Sequence, residues 1–320
     1  MKVSVAFNGD ADGLLALHQL RLSGRVPAEA VLISGIKRDV RLLSRVPEDA
    51  EEVWALDISL DANREALLAL LAKGVHLHWR DHHFAGEIPK DPKLDARIDP
   101  SPDRCTSLIV SDELDRAHLP WAIAAAFGDN LHEQALCLAK EAGLREEQIA
   151  QLRRLGELLN YNGYGLSIDD LHLHPVQLAA ALAPYDDPWR FVQQSEAFAQ
   201  LQEGYAEDRR QAEQLKVYAE GKGWAVFLLP DAAWARRMIG VLANELARRH
   251  PERAHALCLP MAHGAFRVSV RAPKARPWGA DALCRKFPSG GGRAGAAGIN
   301  ALPKGDLDRF VAAFAKAYGR

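Results

Sequence analysis

Val3-Ser4-Val5-Ala6-Phe7-Asn8-Gly9-Asp10-Ala11-Asp12-Gly13 is a short β-prone apolar run that ends in an acidic, glycine-containing turn, and the helical pattern Leu14–Leu22 follows directly. The succession then repeats. Strand-like Ala30–Ile36 precedes helical Val40–Val46, Val53–Asp57 precedes Asn63–Ala72, and Val75–Trp79 comes next. Strands alternating with helices predict an α/β fold whose parallel sheet is covered on both faces. Asp61 and Gly74 bracket Asn63–Ala72 as start and stop signals of a helix. In such sheets ligands bind outside the carboxyl ends of the strands. Asp10 and Asp12 follow the first strand, Asp57 ends the third, and Asp81-His82-His83 follows the fourth, so three loops should bring these side chains to one place. Taken singly, an Asp-X-Asp-Gly turn or a His pair is more often structural than functional, and a strand-end Asp is as often a helix cap as a ligand. Their recurrence at successive strand ends on the ligand-binding edge argues for a site. Crowded carboxylates repel unless protonated or bridged by cations. Carboxylate oxygens mixed with imidazole suit Mn²⁺, Mg²⁺ or Zn²⁺, and the many oxygens with no thiolate favour Mn²⁺, with Mg²⁺ as the substitute.

The rest of the 320-residue chain is organised around this start. Hydrophobic residues make up 48% and charged residues 26%, a globular composition for about two domains. The formal charge of −2 hides a division: residues 1–221 carry 23 Lys+Arg and 36 Asp+Glu, residues 222–320 carry 17 and 6. One part is acidic and the other basic. No apolar run approaches the roughly 18 residues of a membrane span, and no signal-peptide pattern opens the chain, so a cytoplasmic location is expected. Cys105, Cys137, Cys258 and Cys284 are not closely paired and read as reduced thiols. Residues 131–221 look helical, in Glu133–Ala142, Glu146–Leu159 and Phe191–Tyr218. A second α/β unit follows: strand Ala225–Leu229, helix Ala233–Arg249, strands Ala256–Pro260 and Ala265–Arg271, a glycine-rich loop, and helix Leu307–Tyr318. The expected division is therefore a parallel-sheet domain at 1–190 including its helical part, a helical linker at 191–221, and a smaller basic α/β domain at 222–320. The active site is expected in the cleft between the two domains.

These motifs resemble the DHH phosphoesterases, a family that includes RecJ-type exonucleases, oligoribonuclease and phosphoadenosine-phosphate phosphatases, and cyclic-dinucleotide phosphodiesterases. Asp81-His82-His83 matches the namesake triplet, Asp10-Ala11-Asp12-Gly13 the first motif, Leu56-Asp57 the second, and the stretch from Ala122 to Asn130 the fourth, with Asp129 as its acid. The run Gly290-Gly291-Gly292-Arg293-Ala294-Gly295-Ala296-Ala297-Gly298 resembles the glycine-rich signature of the family's associated C-terminal domain. The resemblance implies two metal ions bridged by Asp57, with Asp10 on the first and Asp12, His82 and Asp129 on the second. It also implies that Asp81 orients an imidazole and that His83 faces the phosphate.

Two departures stand out. Many members have a His four residues before the Asp10 position, where this chain has Ala6, and RecJ-like members have an Asp where it has Asn8. Asn8 offers a carbonyl oxygen without charge as a ligand to the first ion. Arg293 replaces the signature His, and a guanidinium can still hold a phosphate oxygen while never losing its charge.

The expected function is hydrolysis of a phosphodiester or phosphomonoester in a nucleotide or short single-stranded oligonucleotide. Gly290, Gly291 and Gly292 would let the backbone approach phosphate, Arg293, Arg267 and Arg271 would add charge, and Trp278 or Phe266 would be candidates for base stacking. The alternatives are a phosphate- or nucleic-acid-binding protein with a degenerate site, and a phosphohydrolase for polyphosphate or another small ester. A homodimer is compatible with the sequence.

Overall fold

The computed structural model describes residues 2–319 and divides the chain into two compact units, Met1–Tyr205 and Ala206–Arg320. The boundary falls inside a helix of the expected linker.

The first unit runs β1 (Val3–Phe7), α1 (Ala11–Leu22), β2 (Val31–Ile33), β3 (Glu52–Leu56), α2 (Arg64–Ala72), β4 (His76–Asp81), β5 (Leu94–Ile98), α3 (Thr106–Glu113), α4 (Leu119–Gly128), α5 (His132–Glu141), α6 (Glu146–Asn162), α7 (Pro175–Leu182), α8 (Pro188–Gln194) and α9 (Glu196–Glu213). Its five strands pair in the order β2-β1-β3-β4-β5, and every pairing is parallel. Val3–Phe7 is buried at every position, as a central strand covered on both faces must be, whereas the edge strands β2 and β5 are partly exposed. On one face Leu67, Leu70 and Leu71 of α2 close over Val53, Leu77 and Trp79. Helix α1 is buried from Ala11 to Leu20 and packs against α3, α4, α6 and α7, so it is apolar nearly all round.

Sequence and structure differ where local pattern is not the deciding force. The expected helix at Val40–Val46 is only a 3₁₀ turn at Leu43–Arg45. Asn63 supplies its hydrogen bonds instead, donating to the Val40 carbonyl and accepting from the Leu43 N–H, and Pro47 follows. The expected strand Ala30–Ile36 pairs only over Val31–Ile33, after which the chain leaves β1 and turns over the end of the sheet. The single helix expected at Phe191–Tyr218 is broken at Ser195, whose backbone is extended and whose hydroxyl accepts from the Phe198 N–H; its last residues enter a strand.

The second unit adds β6 (Val217–Gly221), β7 (Trp224–Leu228), α10 (Ala233–Arg249), β8 (Ala254–Met261), β9 (Ala265–Arg271), α11 (Ala280–Cys284), β10 (Gly290–Arg293), β11 (Ala296–Pro303) and α12 (Leu307–Tyr318). The six strands pair in the order β10-β11-β9-β8-β7-β6, parallel only between β7 and β8. Phe266, Val268 and Val270 face a core built with Phe310, Phe314 and Tyr318 of α12. The expected glycine loop is thus mostly β10, an edge strand hydrogen-bonded to β11. No helix among the described residues is long and apolar enough to cross a membrane.

The position of Asp129 depends on one close helix crossing. A Cβ on Gly156 of α6 would lie 1.9 Å from the Ala124 carbonyl oxygen of α4, and one on Gly128 would lie 2.5 Å from the Ala11 Cβ of α1. Only glycines let the three helices approach so far. Gly156→Ala is expected to cost about 1–3 kcal/mol by overpacking. Gly305→Ala, whose Cβ would meet nothing within 4 Å, should be nearly neutral. Urea denaturation of the two variants checks this.

Candidate metal centre

In the order β2-β1-β3 the chain reverses direction of winding between β1 and β3, which is the topological switch point where doubly wound sheets open a crevice. Asp10 and Asp12 leave β1 and Asp57 leaves β3 on either side of that point. Asp81 is the last residue of β4, so His82 and His83 start the next loop over the same edge. Asp129 caps the C-terminus of α4, and Asn130 after it takes the left-handed conformation that ends many helices (φ 64°). Structure therefore assigns Asp129 to the end of α4, not to the start of α5. Asp57 is itself left-handed at φ 57°, an uncommon conformation for an aspartate that aims its side chain from the strand end.

The contacts then separate the acids by role. Asp10 is the N-cap of α1: Oδ1 accepts from the N–H groups of Asp12 and Gly13 at 3.0 and 3.2 Å. Its Oδ2 lies 2.5 Å from Lys37 Nζ. Asp12 accepts from the Thr106 and Ser107 N–H groups at 2.7 Å each, so the first turn of α3 points its positive end at the site. Thr106 Oγ1 donates to Asp57 at 3.3 Å. His82 Nε2 lies 3.4 Å from Asp57, 3.7 Å from Asp129 and 3.9 Å from Asp12. His83 Nδ1 donates to Asp81 Oδ1 at 2.7 Å.

Electrostatics follow from crowding. Asp10, Asp12, Asp57 and Asp81 are each no more than 2% exposed. Burial, reinforced by the charges of Asp12, Asp10, Asp129 and Asp81, pushes the Asp57 carboxyl well above the ordinary range. Burial likewise raises Asp129 to about 6, although Lys37 pulls the other way. Burial also tends to raise Asp10, but the Lys37 ammonium and the Gly13 N–H outweigh it and hold the group below its usual value. The hydrogen bond to Asp81 raises the His83 imidazole, against burial.

Ligand atoms of Asp57, His82 and His83, and of Asp12, His82 and Asp129, all lie within 4.8 Å of one another inside each set. Asp81 Oδ2 and Asn8 Oδ1 are buried oxygens with no hydrogen-bond partner among the described residues. This donor set, rich in oxygen with one or two imidazoles, fits a hard or borderline divalent cation. Asp10 and Asn8 are in neither set. Asn8 turns its amide N–H toward the Lys37 carbonyl at 3.3 Å, and Asp10 is committed to Lys37.

Sequence motifs did not mark Lys37, Thr106, Ser107 or Asn160. Lys37 had one weak signal, a Lys-Arg pair with Arg38 just past the second strand on the ligand-binding edge; Thr106 and Ser107 had the capping residue types that open helices.

In the second unit the strand registers place Arg293, Ala296 and Arg271 in one cross-strand row, and Gly291, Gly298 and Ser269 in the next. Arg267 projects from the same face, because residues two apart on a strand share a face. Glycine and alanine thus make a low floor beside three arginines. Arg271 is also held by Asn244 Oδ1 at 2.9 Å, which makes it partly structural. Phe266 belongs to the core, so it is not a stacking residue, whereas Trp278 is 58% exposed.

No family model and no curated protein matches the sequence. Solved structures do match. An exonuclease RecJ bound to manganese superposes with TM-score 0.60 at 20% identity, covering 99% of this chain and 90% of that one. RecJ from Thermus thermophilus in complex with Mn²⁺ gives 0.62 at 18% identity, and this chain, 98% covered, spans 51% of it. The pGpG-specific phosphodiesterase PggH from Vibrio cholerae gives 0.58 at 15% identity, with 98% and 97% covered. The chain has the fold of these proteins, the fold expected from its resemblance to the DHH phosphoesterases.

The raised Asp129 carboxyl makes a pH prediction. Its native pKa of about 6 exceeds the unfolded value of 3.8, so the native state binds the extra proton between them. The ionised group therefore costs nothing below about pH 4 and its full penalty above about pH 6. Relative to wild type, metal-free Asp129→Asn should gain stability by roughly 1–3 kcal/mol as pH rises across that window and level off beyond it. Urea titrations at pH 4, 5, 6 and 7.5 measure the difference; a constant offset would contradict the assignment.

Proposed function

We propose that this protein is a metal-dependent phosphoesterase acting on a phosphodiester or phosphomonoester of a nucleotide or short oligonucleotide. The observation that carries the reading is the convergence of Asp12, Asp57, His82 and Asp129 at the switch point of the parallel sheet. The fold shared with a manganese-bound exonuclease and a dinucleotide phosphodiesterase supports it. Asp12, Asp57, His82 and Asp129 would hold Mn²⁺, with Mg²⁺ as the substitute. A divalent cation held there supplies Lewis acidity toward a phosphoryl oxygen and lowers the pKa of water toward neutrality.

The remaining roles belong to the protein's own groups. Asp81 fixes His83 through Nδ1, which leaves Nε2 as the nitrogen available to a phosphoryl or leaving oxygen. His83 is 43% exposed at its side chain, so a substrate can reach it. The N–H groups of Thr106 and Ser107 hold Asp12 in a single orientation, which removes the cost of ordering it when a cation or substrate arrives. In the basic unit Arg293 is the exposed guanidinium beside the Gly291–Gly298 floor and is the preferred contact for a substrate phosphate, with Gly290, Gly292, Arg267 and Arg271 around it.

The test is hydrolysis of a p-nitrophenyl nucleotide ester and of short 5′-phosphorylated oligonucleotides in millimolar Mn²⁺. Asp57→Ala should abolish turnover of either substrate. Arg293→Ala should raise KM about tenfold or more with kcat little changed, the worth of one charge-assisted hydrogen bond. Oligonucleotide binding with no turnover at any Mn²⁺ concentration would select the non-catalytic binding protein instead.

A further inference from the structure

Lys37 lies in none of the recognised motifs, yet it is built into the centre. Its backbone N–H donates to the Gly163 carbonyl at 2.8 Å, and its own carbonyl accepts from Asn8 Nδ2. Its Nζ meets Asp10 Oδ2 at 2.5 Å, Asn160 Oδ1 at 2.8 Å and Asp129 Oδ1 at 3.5 Å, with the Tyr164 ring 5.7 Å away. An ammonium has three protons, and three side-chain oxygens surround it. The carboxylate it takes, Asp10, is the one that the resemblance to the DHH phosphoesterases implies for a first metal ion. Asn8, whose amide meets the Lys37 carbonyl, brings no charge there, and the chain has Ala6 where many members of the family it resembles have a His. A divalent ion bound to the same Asp10 carboxylate would have to share it with the ammonium and would meet strong repulsion in a poorly solvated site.

We propose that the Lys37 ammonium is the resident cation of the Asp10–Asn160–Asp129 subsite, so that the centre takes one divalent ion, at Asp12, Asp57, His82 and Asp129, and not two. The inference rests on the metal-centre reading above and narrows it. One fixed charge then neutralises the Asp10 side of the cluster without the cost of binding an exchangeable ion, and supplies no Lewis acidity there. Asp129 is the shared wall, with Oδ1 toward Lys37 and Oδ2 toward His82.

The experiment counts ions. Metal-free full-length protein is dialysed against rising Mn²⁺, bound metal is measured by mass spectrometry, and the same samples are read by electron paramagnetic resonance. Wild type should saturate at one Mn²⁺ per chain with the six-line spectrum of an isolated ion. Lys37→Ala and the longer, neutral Lys37→Met should each take up a second ion, with exchange coupling weakening the six-line signal, while Lys37→Arg stays at one. Two coupled ions in active wild type would overturn the inference and leave the proposed function standing. One ion in both neutral variants would overturn it too, since Lys37 would then exclude nothing. Neither bound Mn²⁺ nor turnover in wild type would instead remove the metal centre itself. Melting curves report folding of each variant, and the wild-type count decides the matter even if one variant fails to fold.

Discussion

Four aspartates buried together at one end of a sheet are the constraint around which the first unit is arranged. Asp10, Asp12, Asp57 and Asp81 have lost nearly all contact with water, and uncompensated charges in that position would each cost several kcal/mol. The surrounding protein supplies compensation of different kinds. The first turns of α1 and α3 direct backbone N–H groups at Asp10 and Asp12, two imidazoles stand over Asp57 and Asp81, and Lys37 adds a full charge. The compensation is unequal. Asp57 and Asp129 remain raised, by burial first and then by the neighbouring carboxylates.

That inequality connects packing to chemistry. The glycine-mediated crossing of α1, α4 and α6 sets how near Asp129 stands to the strand ends, and the end of α6 presents Asn160 to Lys37. The same helices therefore place both the Lys37–Asp10–Asn160 cluster and the Asp129 carboxylate that faces His82. In the second unit a different arrangement serves the opposite charge: small residues on β10 and β11 lower the sheet surface, and arginines border it. The near-neutral total of the chain is the sum of an acidic part, residues 1–221, and a basic part, residues 222–320.

Much of this was legible from residue order. Val3–Phe7 followed by Asn8–Gly13, Asp57 after an apolar run, and Asp81-His82-His83 after another are local signals, because strand, turn and acid are adjacent in the chain. Helices α10 and α12 were equally readable from their periodicity. The failures have physical causes. Val40–Val46 lost its helix to Asn63, a residue some twenty positions away, and the glycine-rich run became a strand because β11 offered a partner. Strand β5, at the sheet edge, and helix α3, whose first turn is held by Asp12, depend on contacts that no local pattern announces.

The sequence by itself determined the parallel α/β start, the succession of acidic strand ends, the contrast between an acidic and a basic part, and the absence of an imidazole at Ala6 and of a charge at Asn8. All of these are properties of neighbouring residues or of simple counts. Only the tertiary structure decided that Asp129 ends α4, that Asp12 is held by the first turn of α3, and that Lys37 occupies the side of the cluster where Asp10 lies. The reason is distance along the chain: Lys37 is 27 residues from Asp10, 92 from Asp129 and 123 from Asn160, and a charge that acts through space carries no trace of such separations in local sequence.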